Sequence, residues 1–153
     1  MILQDVTADG ALHVAAGMRD ADYREIFATR WNDDLVDLTV DCLNARRFSW
    51  IACADDGTPV AVVGAWPTHP GVWQVYFFTT DRWSQISLSL TRWIRRVMIP
   101  ALRNAGAHRA ECKSLSSHTE AHRWLEFLGA SQEATLRGYG KDGEDFLLFV
   151  WTR

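Results

Sequence analysis

The chain has 153 residues, of which 48% are apolar and 23% charged. This length suits one domain, and the composition excludes a largely disordered protein. The formal net charge of -3 provides no basic field for phosphates, so we expect no nucleic-acid partner. No apolar run approaches the roughly 18 residues of a membrane span, and residues 1–7 do not resemble a signal peptide. We therefore expect a soluble, cytoplasmic protein without a membrane partner.

The three cysteines, Cys42, Cys53 and Cys112, lie far apart in the sequence. They form no CxxC pair and no cysteine–histidine spacing typical of zinc sites. We expect buried, reduced thiols and no metal ion.

The first third of the chain is predicted to be mainly helical. Ile2 to Val6 reads as a short strand, and three helices follow it. Their apolar residues recur at helical spacing, and each is preceded by a polar residue that can cap it: Thr7 before 8–18, Asp20 before 21–29, and Asn32 before 33–45.

The next segment changes to the periodicity of strands. Two of them, 48–54 and 60–66, flank an Asp55-Asp56-Gly57 hairpin turn, and a turn at 67–71 leads to a third strand, 72–80. The nearly continuous apolar character of this third strand predicts a central position. A long helix over 84–104 follows, which Pro100 is expected to kink or end.

The remaining elements are a strand at 108–115, a helix at 119–128 capped by Ser117, and two final strands at 134–138 and 145–152 around a turn at 140–143. There are no repeats or linkers, so we expect a single domain over 1–153. Hairpins mixed with strand–helix–strand crossovers predict an α/β protein with a central mixed sheet and helices on both faces.

Three segments resemble the GNAT-like acyltransferase proteins of tailed phages, the group that includes the podophage internal virion protein A type. Residues 18–26 (MRDADYREI) resemble an "MR..D..EI" opening, residues 123–129 (RWLEFLG) an "RWL..LG" helix, and residues 139–146 (YGKDGEDF) a "YG.DG..F" closing segment. The resemblance implies the GNAT fold, with acetyl transfer from acetyl-CoA to an amine as the activity.

In that fold a Gln/Arg-x-x-Gly-x-Gly/Ala loop at the start of the long helix receives the CoA diphosphate through backbone N–H groups. The resemblance places residues 82–87 (RWSQIS) at this loop, with Trp83 and Gln85 where glycines are expected. The predicted cofactor contacts are Arg82, Ser84, Gln85, Ile86 and Ser87. The alternative is an ordinary helix start capped by Ser84, with Trp83 packed against it.

Acetyl transfer to an amine requires a base and often an acid. The resemblance implies that a tyrosine in the last helix acts as the general acid, and this chain has Leu125 at that position. It also implies an asparagine where this chain has His118. His118 could take the place of the missing acid. On the predicted central strand Gln74 and Tyr76 could face a substrate cleft, with Tyr76 the better candidate, and Glu111 on the next strand is a possible base. The three catalytic candidates His118, Tyr76 and Glu111 each have a simpler interpretation: a solvated loop histidine, a buried structural tyrosine, and a surface glutamate paired with a nearby cation.

Two functions remain open. The first is an acetyl-CoA-dependent N-acetyltransferase with an altered cofactor loop. The second is a non-catalytic GNAT-fold protein that acts through its surface in virion assembly or by binding a host protein. Acidic residues on one helix and arginines on another also leave a homo-oligomer open.

Overall fold

The structure is a computed structural model that describes residues 1–152. Seven strands form one mixed sheet in the order β1-β2-β3-β4-β5-β7-β6. The strands are β1 (Ile2–Asp5), β2 (Ser49–Cys53), β3 (Pro59–His69), β4 (Val72–Thr79), β5 (Arg109–Leu115), β6 (Ser131–Leu136) and β7 (Phe146–Thr152).

Six α-helical segments connect the strands: α1 (Ala8–Ala16), α2 (Asp20–Phe27), α3 (Leu35–Asn44), α4 (Ser87–Trp93), α5 (Ile99–Asn104) and α6 (Thr119–Phe127). Short 3₁₀ turns cover Arg46–Phe48 and Asp81–Gln85. The predicted order of strands and helices is confirmed.

Apolar residues on both faces of the sheet hold the helices in place. On one face, Val14 of α1 and Leu38 of α3 pack against alternate strand residues such as Val62 and Phe78. On the other face, Leu90 of α4 and Leu102 of α5 pack against a second set. Burial of strand residues on both faces explains why the sequence of β4 looks almost continuously apolar. The predicted mixed sheet with helices on both faces is confirmed.

The sheet changes character between β4 and β5. The strands from β1 to β4 are all antiparallel, whereas β4 and β5 are parallel and pair only from Val72–Arg109 to Gln74–Glu111. Beyond Gln74 the two strands diverge, although β5 then pairs with β7 along its whole length. The divergence opens a V-shaped gap in the sheet.

Several element boundaries differ from those predicted. Asp34, not Asn32, caps α3, because its carboxylate accepts a hydrogen bond from the Val36 N–H at 2.7 Å. β3 extends into the predicted turn at 67–71 as far as His69. β6 begins at Ser131, three residues before its predicted start at 134. The N-cap of α6 is His118, which makes no side-chain capping bond, so the predicted cap by Ser117 is wrong.

Pro100 neither ends nor breaks the long helix. A π-helical turn over Ile94–Met98 joins α4 to α5, and the Ile99 N–H donates to the Ile94 carbonyl. Proline has no N–H to donate and its ring crowds the carbonyl four residues earlier, here that of Arg96. The wider π turn accommodates the proline within a helical segment that continues to Asn104.

Candidate functional site

The gap between β4 and β5 leads into the main cleft of the molecule, with a volume of about 710 Å³. Its walls come from β4, β5, α2, α3 and α6, together with the loop before β7. A volume of this size is typical of ligand-binding pockets. We call it the splay cleft.

Two carboxylates of α2 hold the ends of the diverging strands. Asp22 accepts a hydrogen bond from the Thr79 N–H of β4 at 2.8 Å, and Glu25 accepts one from the Leu115 N–H of β5 at 2.6 Å. Glu25 also accepts from the Ser114 hydroxyl at 2.6 Å. Side chains three positions apart share one face of a helix. One face of α2 therefore accepts hydrogen bonds from the main chains of β4 and β5 beyond the point where these two strands stop pairing with each other.

Asp22 is 2% exposed, and Arg19 donates to it at 2.9 Å. Burial raises the pKa of the Asp22 carboxyl, since the charged form is poorly solvated, although the bond from Arg19 opposes this effect. Arg19 also reaches Glu120 of α6 at 3.4 Å. The arginine thus ties α2 to the helix on the other side of the cleft.

His118 lies between these two carboxylates. Its Nδ1 is 3.2 Å from Glu25 Oε2 and its Nε2 is 3.5 Å from Asp22 Oδ1. Burial lowers the pKa of the ring, but Glu25 and Asp22 outweigh that effect and raise the pKa above 6.5. His118 is 7% exposed, so its interpretation as a solvated loop histidine is wrong. We call Arg19, Asp22, Glu25 and His118 the carboxylate clasp.

Tyr76 lines the cleft from β4. Its hydroxyl donates to Ser49 Oγ at 2.8 Å, and Ser49 in turn donates to the Ala45 carbonyl at 2.8 Å. Burial raises the pKa of the phenol. The ring also contacts Trp66 and Phe78. These contacts give Tyr76 a role in joining β4 to β2.

Glu111 does not join the other two candidates. It accepts a hydrogen bond from Arg109 Nε at 2.7 Å, and Arg109 also bonds to Glu133 of β6 at 2.5 Å. Glu111 is not among the residues that line the splay cleft. The structure therefore brings Tyr76 and His118 to one cleft and leaves Glu111 in a network on the neighbouring strands.

The predicted cofactor loop forms the 3₁₀ turn Asp81–Gln85 followed by the start of α4. Thr80 caps this turn, accepting from the Arg82 N–H at 3.3 Å, and the helix proper begins at Ser87. Ser84 is thus not the cap of the long helix. Ser84 and Gln85 are exposed, whereas Ile86 is 1% exposed and belongs to the core. Counted from Arg82, the motif's glycine positions fall on Gln85 and Ser87, so Trp83 is not at one of them.

The side chain of Arg82 is already engaged. It donates to Asp56 Oδ2 at 2.7 Å and to Gln85 Oε1 at 2.9 Å. The bond from Arg82 is the main reason that the pKa of Asp56 falls to about 2. Asp81 begins the same turn. A diphosphate bound at this turn would lie beside the carboxylates of Asp56 and Asp81 and would compete with Asp56 for Arg82.

Three aromatic rings stand behind this turn. Trp83 lies 5.1 Å from Phe77 of β4 and 5.2 Å from Trp124 of α6, measured between ring centroids, and Phe77 and Trp124 are 4.7 Å apart. The indole N–H of Trp124 donates to Thr91 of α4 at 2.9 Å, which fixes the ring. This aromatic triad closes the space between the start of α4 and the last helix.

The turn differs in three respects from a glycine-rich loop that receives a diphosphate. The N–H groups of Trp83 and Ile86 bond to the carbonyls of Thr80 and Trp83, each at 3.1 Å. Glycine is absent from the turn, and Gln85 brings a side chain to one of its expected positions. The third difference is the Arg82–Asp56 pair, which engages the arginine of the motif.

The sequence did not single out Asp22 and Glu25 as site residues, nor Lys113, which bridges the diverging strands through its bond to Gln74. A signal for the first two was present, since the "MR..D..EI" segment aligns its charged positions with Arg19, Asp22 and Glu25. The other two resembling segments also reach the splay cleft, through Trp124 and Leu125 and through Tyr139 and Phe146. All three resembling segments thus contribute residues to the lining of the same cleft.

No group of histidine, cysteine and acidic residues within residues 1–152 is arranged to hold a metal ion. In the same part of the chain, none of the helices has the length and apolar character needed to cross a bilayer. The cysteines are unpaired, and burial raises the pKa of Cys42 to about 11.

The sequence matches no protein-family model and no curated protein. Solved structures do resemble the whole chain. The ribosomal-protein-alanine N-acetyltransferase of Brucella melitensis superposes with a TM-score of 0.74 at 15% identity, covering 100% of both chains. Ard1 of Thermoplasma volcanium gives 0.75 at 12% identity, over 99% of this chain and 96% of that one.

A third match is yncA of Salmonella typhimurium, whose structure contains its cofactor acetyl-CoA. It gives a TM-score of 0.75 at 14% identity and covers 99% of this chain and 93% of its own. A Bacillus anthracis acetyltransferase described as GNAT family gives 0.73 at 10% identity, over 98% and 93% of the two chains. The chain has the GNAT fold of the N-acetyltransferases.

Proposed function

We propose that this chain is a non-catalytic GNAT-fold protein of the kind encoded by tailed phages, and that its splay cleft binds a ligand other than acetyl-CoA. One observation carries the proposal: the polar groups needed for acetyl transfer are already engaged in contacts that hold the fold together. Arg82 pairs with Asp56, and both ring nitrogens of His118 face carboxylates. The Tyr76 hydroxyl donates to Ser49.

An acid–base catalyst must reach the proton that it transfers. His118 is buried, with Nδ1 3.2 Å from Glu25 Oε2, whereas Nε2 makes no hydrogen bond within residues 1–152 and lies 3.5 Å from Asp22 Oδ1. Glu111 is bonded to Arg109 outside the cleft lining. Tyr76 and His118 share the cleft, but the Tyr76 hydroxyl donates to Ser49 and His118 Nδ1 faces Glu25. The positions of these side chains favour a cleft that binds a ligand without catalysing acetyl transfer.

The three phage-like segments support the same cleft as the functional site. Each contributes residues to its wall: Arg19, Asp22 and Glu25 from the first, Trp124 and Leu125 from the second, Tyr139 and Phe146 from the third. The partners expected from this resemblance are virion or host proteins. A homo-oligomer remains a further hypothesis, although Asp33 and Asp41 of the acidic series bond within the chain to Lys141 and Arg30.

The second candidate is an acetyl-CoA-dependent N-acetyltransferase. Its support is the divergence of β4 and β5 beside a helix N-terminus, together with the likeness to yncA, which binds acetyl-CoA. On this reading Arg82, Ser84, Gln85 and Ser87 hold the cofactor after Arg82 leaves Asp56. The cofactor would supply an activated acetyl thioester.

A thiol-release assay separates the two candidates. The protein is incubated with acetyl-CoA and a panel containing polyamines, amino acids and peptides with free α-amines or lysines, beside a GNAT enzyme as positive control. We expect free CoA to form no faster than in the absence of the protein. Release that depends on both protein and amine, and that is lost in Arg82→Glu, would establish the second candidate and overturn our proposal.

A further inference from the structure

We propose that the splay cleft is a binding site for a small monocarboxylic acid with an aromatic or apolar body, and that Lys113 binds its carboxylate. The inference rests on the proposed binding function of the cleft and adds the chemical class of the ligand. It follows from the lack of an ion-pair partner for Lys113, the place of this residue in the sheet, and the aromatic walls.

Every charged side chain of the cleft except one has an oppositely charged partner. Arg19 pairs with Asp22 and Glu120, Arg30 pairs with Asp41, and His118 lies between Glu25 and Asp22. Lys113, also in the lining, has no carboxylate within ion-pair distance among residues 1–152; its ammonium donates to the neutral Gln74 Oε1 at 3.0 Å. Four acidic side chains and, with His118 protonated, four basic ones line the cleft. The lining is balanced as a whole, and Lys113 is its one cation without a carboxylate within ion-pair distance among residues 1–152.

Lys113 stands at the narrow end of the V. Gln74 and Glu111 form the last paired position of β4 and β5, and Lys113 lies two residues further along β5. Its ammonium reaches back to Gln74 and so bridges the two strands where they separate. The residue is half-buried, and an ammonium removed from bulk water gains much from a charged acceptor. An ammonium has three donors, of which this bond to Gln74 uses one.

A single cation in a half-buried site favours a single negative charge. A carboxylate would neutralise Lys113, whereas a phosphate monoester would bring a second charge beside Asp22, Glu25, Asp41 and Glu120, whose cationic partners are already in use. This difference selects a carboxylate over a phosphate.

Apolar and aromatic side chains form most of the remaining wall. The rings come from β3, β4, the turn before α4, α6, the loop before β7 and β7 itself: Trp66, Tyr76, Phe77, Trp83, Trp124, Tyr139 and Phe146. Aromatic surfaces of this kind bind flat or apolar bodies by burial of area and ring contacts. An apolar cleft with a few placed polar groups is the usual design of a small-molecule site.

The test compares hydrocinnamate with its neutral amide, hydrocinnamamide, and with phenyl phosphate. Binding is followed by chemical-shift changes of the intact protein in titrations up to about 10 mM, which covers weak affinities. We expect hydrocinnamate to bind at least about tenfold more tightly than either other probe, as a charge-assisted hydrogen bond predicts. The indole signals of Trp83 and Trp124 should move.

Lys113→Met keeps an unbranched side chain and removes the charge. In this variant the preference for the acid over the amide should disappear, while Lys113→Arg should keep it. Lys141→Met is the matched control, since Lys141 pairs with Asp33 away from the cleft lining. It should leave the preference unchanged. Thermal melting checks that each variant folds.

Equal affinity for acid and amide, no binding of the acid, tighter binding of the phosphate, or a preference that survives Lys113→Met would each overturn the inference. These outcomes are independent of the thiol-release assay. Turnover of acetyl-CoA would refute the proposed non-catalytic function. The comparison of acid and amide would still show whether Lys113 binds a carboxylate.

Discussion

The two halves of the sheet are held together by different forces. From β1 to β4 the strands pair continuously, and apolar residues of α1 and α3 cover one face. At the junction of β4 and β5 pairing stops after three positions, and two α2 carboxylates bond to the main chain instead. A buried N–H group needs a partner wherever a sheet opens. The cleft therefore exists because α2 supplies partners that a neighbouring strand would otherwise provide.

The largest effect is expected in the continuous half. Phe78 of β4 is fully buried at 0% exposure and packs against α1 and α3. Phe78→Ala should lower the free energy of unfolding by about 3–5 kcal/mol, through lost apolar burial and the cavity left behind. Chemical denaturation measures this loss. Phe127→Ala, at a position 64% exposed, is the control and should change stability by no more than about 0.5 kcal/mol. Similar losses in the two variants would contradict this description of the core.

A smaller loss is expected at the clasp. Glu25→Gln keeps the shape of the side chain but weakens the bonds from the Leu115 N–H, Ser114 and His118. It should cost about 1–3 kcal/mol, the usual range for a hydrogen bond to a buried charged group. Glu126→Gln on the exposed side of α6 is the control. Amide hydrogen exchange should speed up at Leu115 and not in β2. Unchanged exchange at Leu115 would show that the clasp does not hold β5.

The clasp should also make stability depend on pH, whereas the apolar half should not. The pKa of His118 is raised above 6.5 in the folded protein by Glu25 and Asp22, which together outweigh burial. A raised pKa means that the folded state binds the proton more tightly, so the stabilisation is complete below pH 6.5 and is lost as the pH rises through the folded pKa.

The stability advantage of the wild type over His118→Gln should therefore shrink between about pH 6 and pH 9, the range over which a histidine with a raised pKa loses its charge. Asp22 acts in the same direction, since burial raises its pKa from 3.8. The charge of His118 lowers the pKa of Asp22, so the comparison is repeated in an Asp22→Asn background to isolate the contribution of His118. Urea denaturation at several pH values measures the difference. An advantage that grows with pH would show that His118 is neutral in the clasp.

The sequence predicts these two halves unequally well. Apolar periodicity located the strands and helices of the continuous half, because side chains that face a core must repeat with the pitch of their element. It could not show that β4 and β5 separate, since that depends on bonds from Asp22 and Glu25, more than fifty residues away. Nor could it show that Arg82 is paired, because Asp56 lies on a distant hairpin turn. Lys113 was missed since a lone lysine in a strand carries no local pattern.

The smallest expected effect on stability concerns the Arg82–Asp56 pair, which is exposed and screened by solvent. Asp56→Asn should leave the melting temperature nearly unchanged. The pKa of Asp56 is lowered to about 2, chiefly by the bond from Arg82, so the pair is intact throughout the neutral range. Removing the carboxylate leaves Arg82 with Gln85 alone. The affinity of the turn for a diphosphate should therefore be higher in Asp56→Asn than in the wild type. If Asp56→Asn also fails to bind a diphosphate, the backbone of the turn and Gln85 are what prevent binding.

Calorimetric titration of the wild-type protein with acetyl-CoA tests the central claim most directly. We expect no saturable heat up to millimolar acetyl-CoA, because the turn at Asp81–Gln85 has neither glycine nor an unpaired arginine for the diphosphate. Acetyl-CoA at 100 times its dissociation constant would stabilise the fold by about 2.7 kcal/mol, so binding would also appear as a higher melting temperature. Saturable binding with micromolar affinity, abolished by Arg82→Glu, would contradict the account.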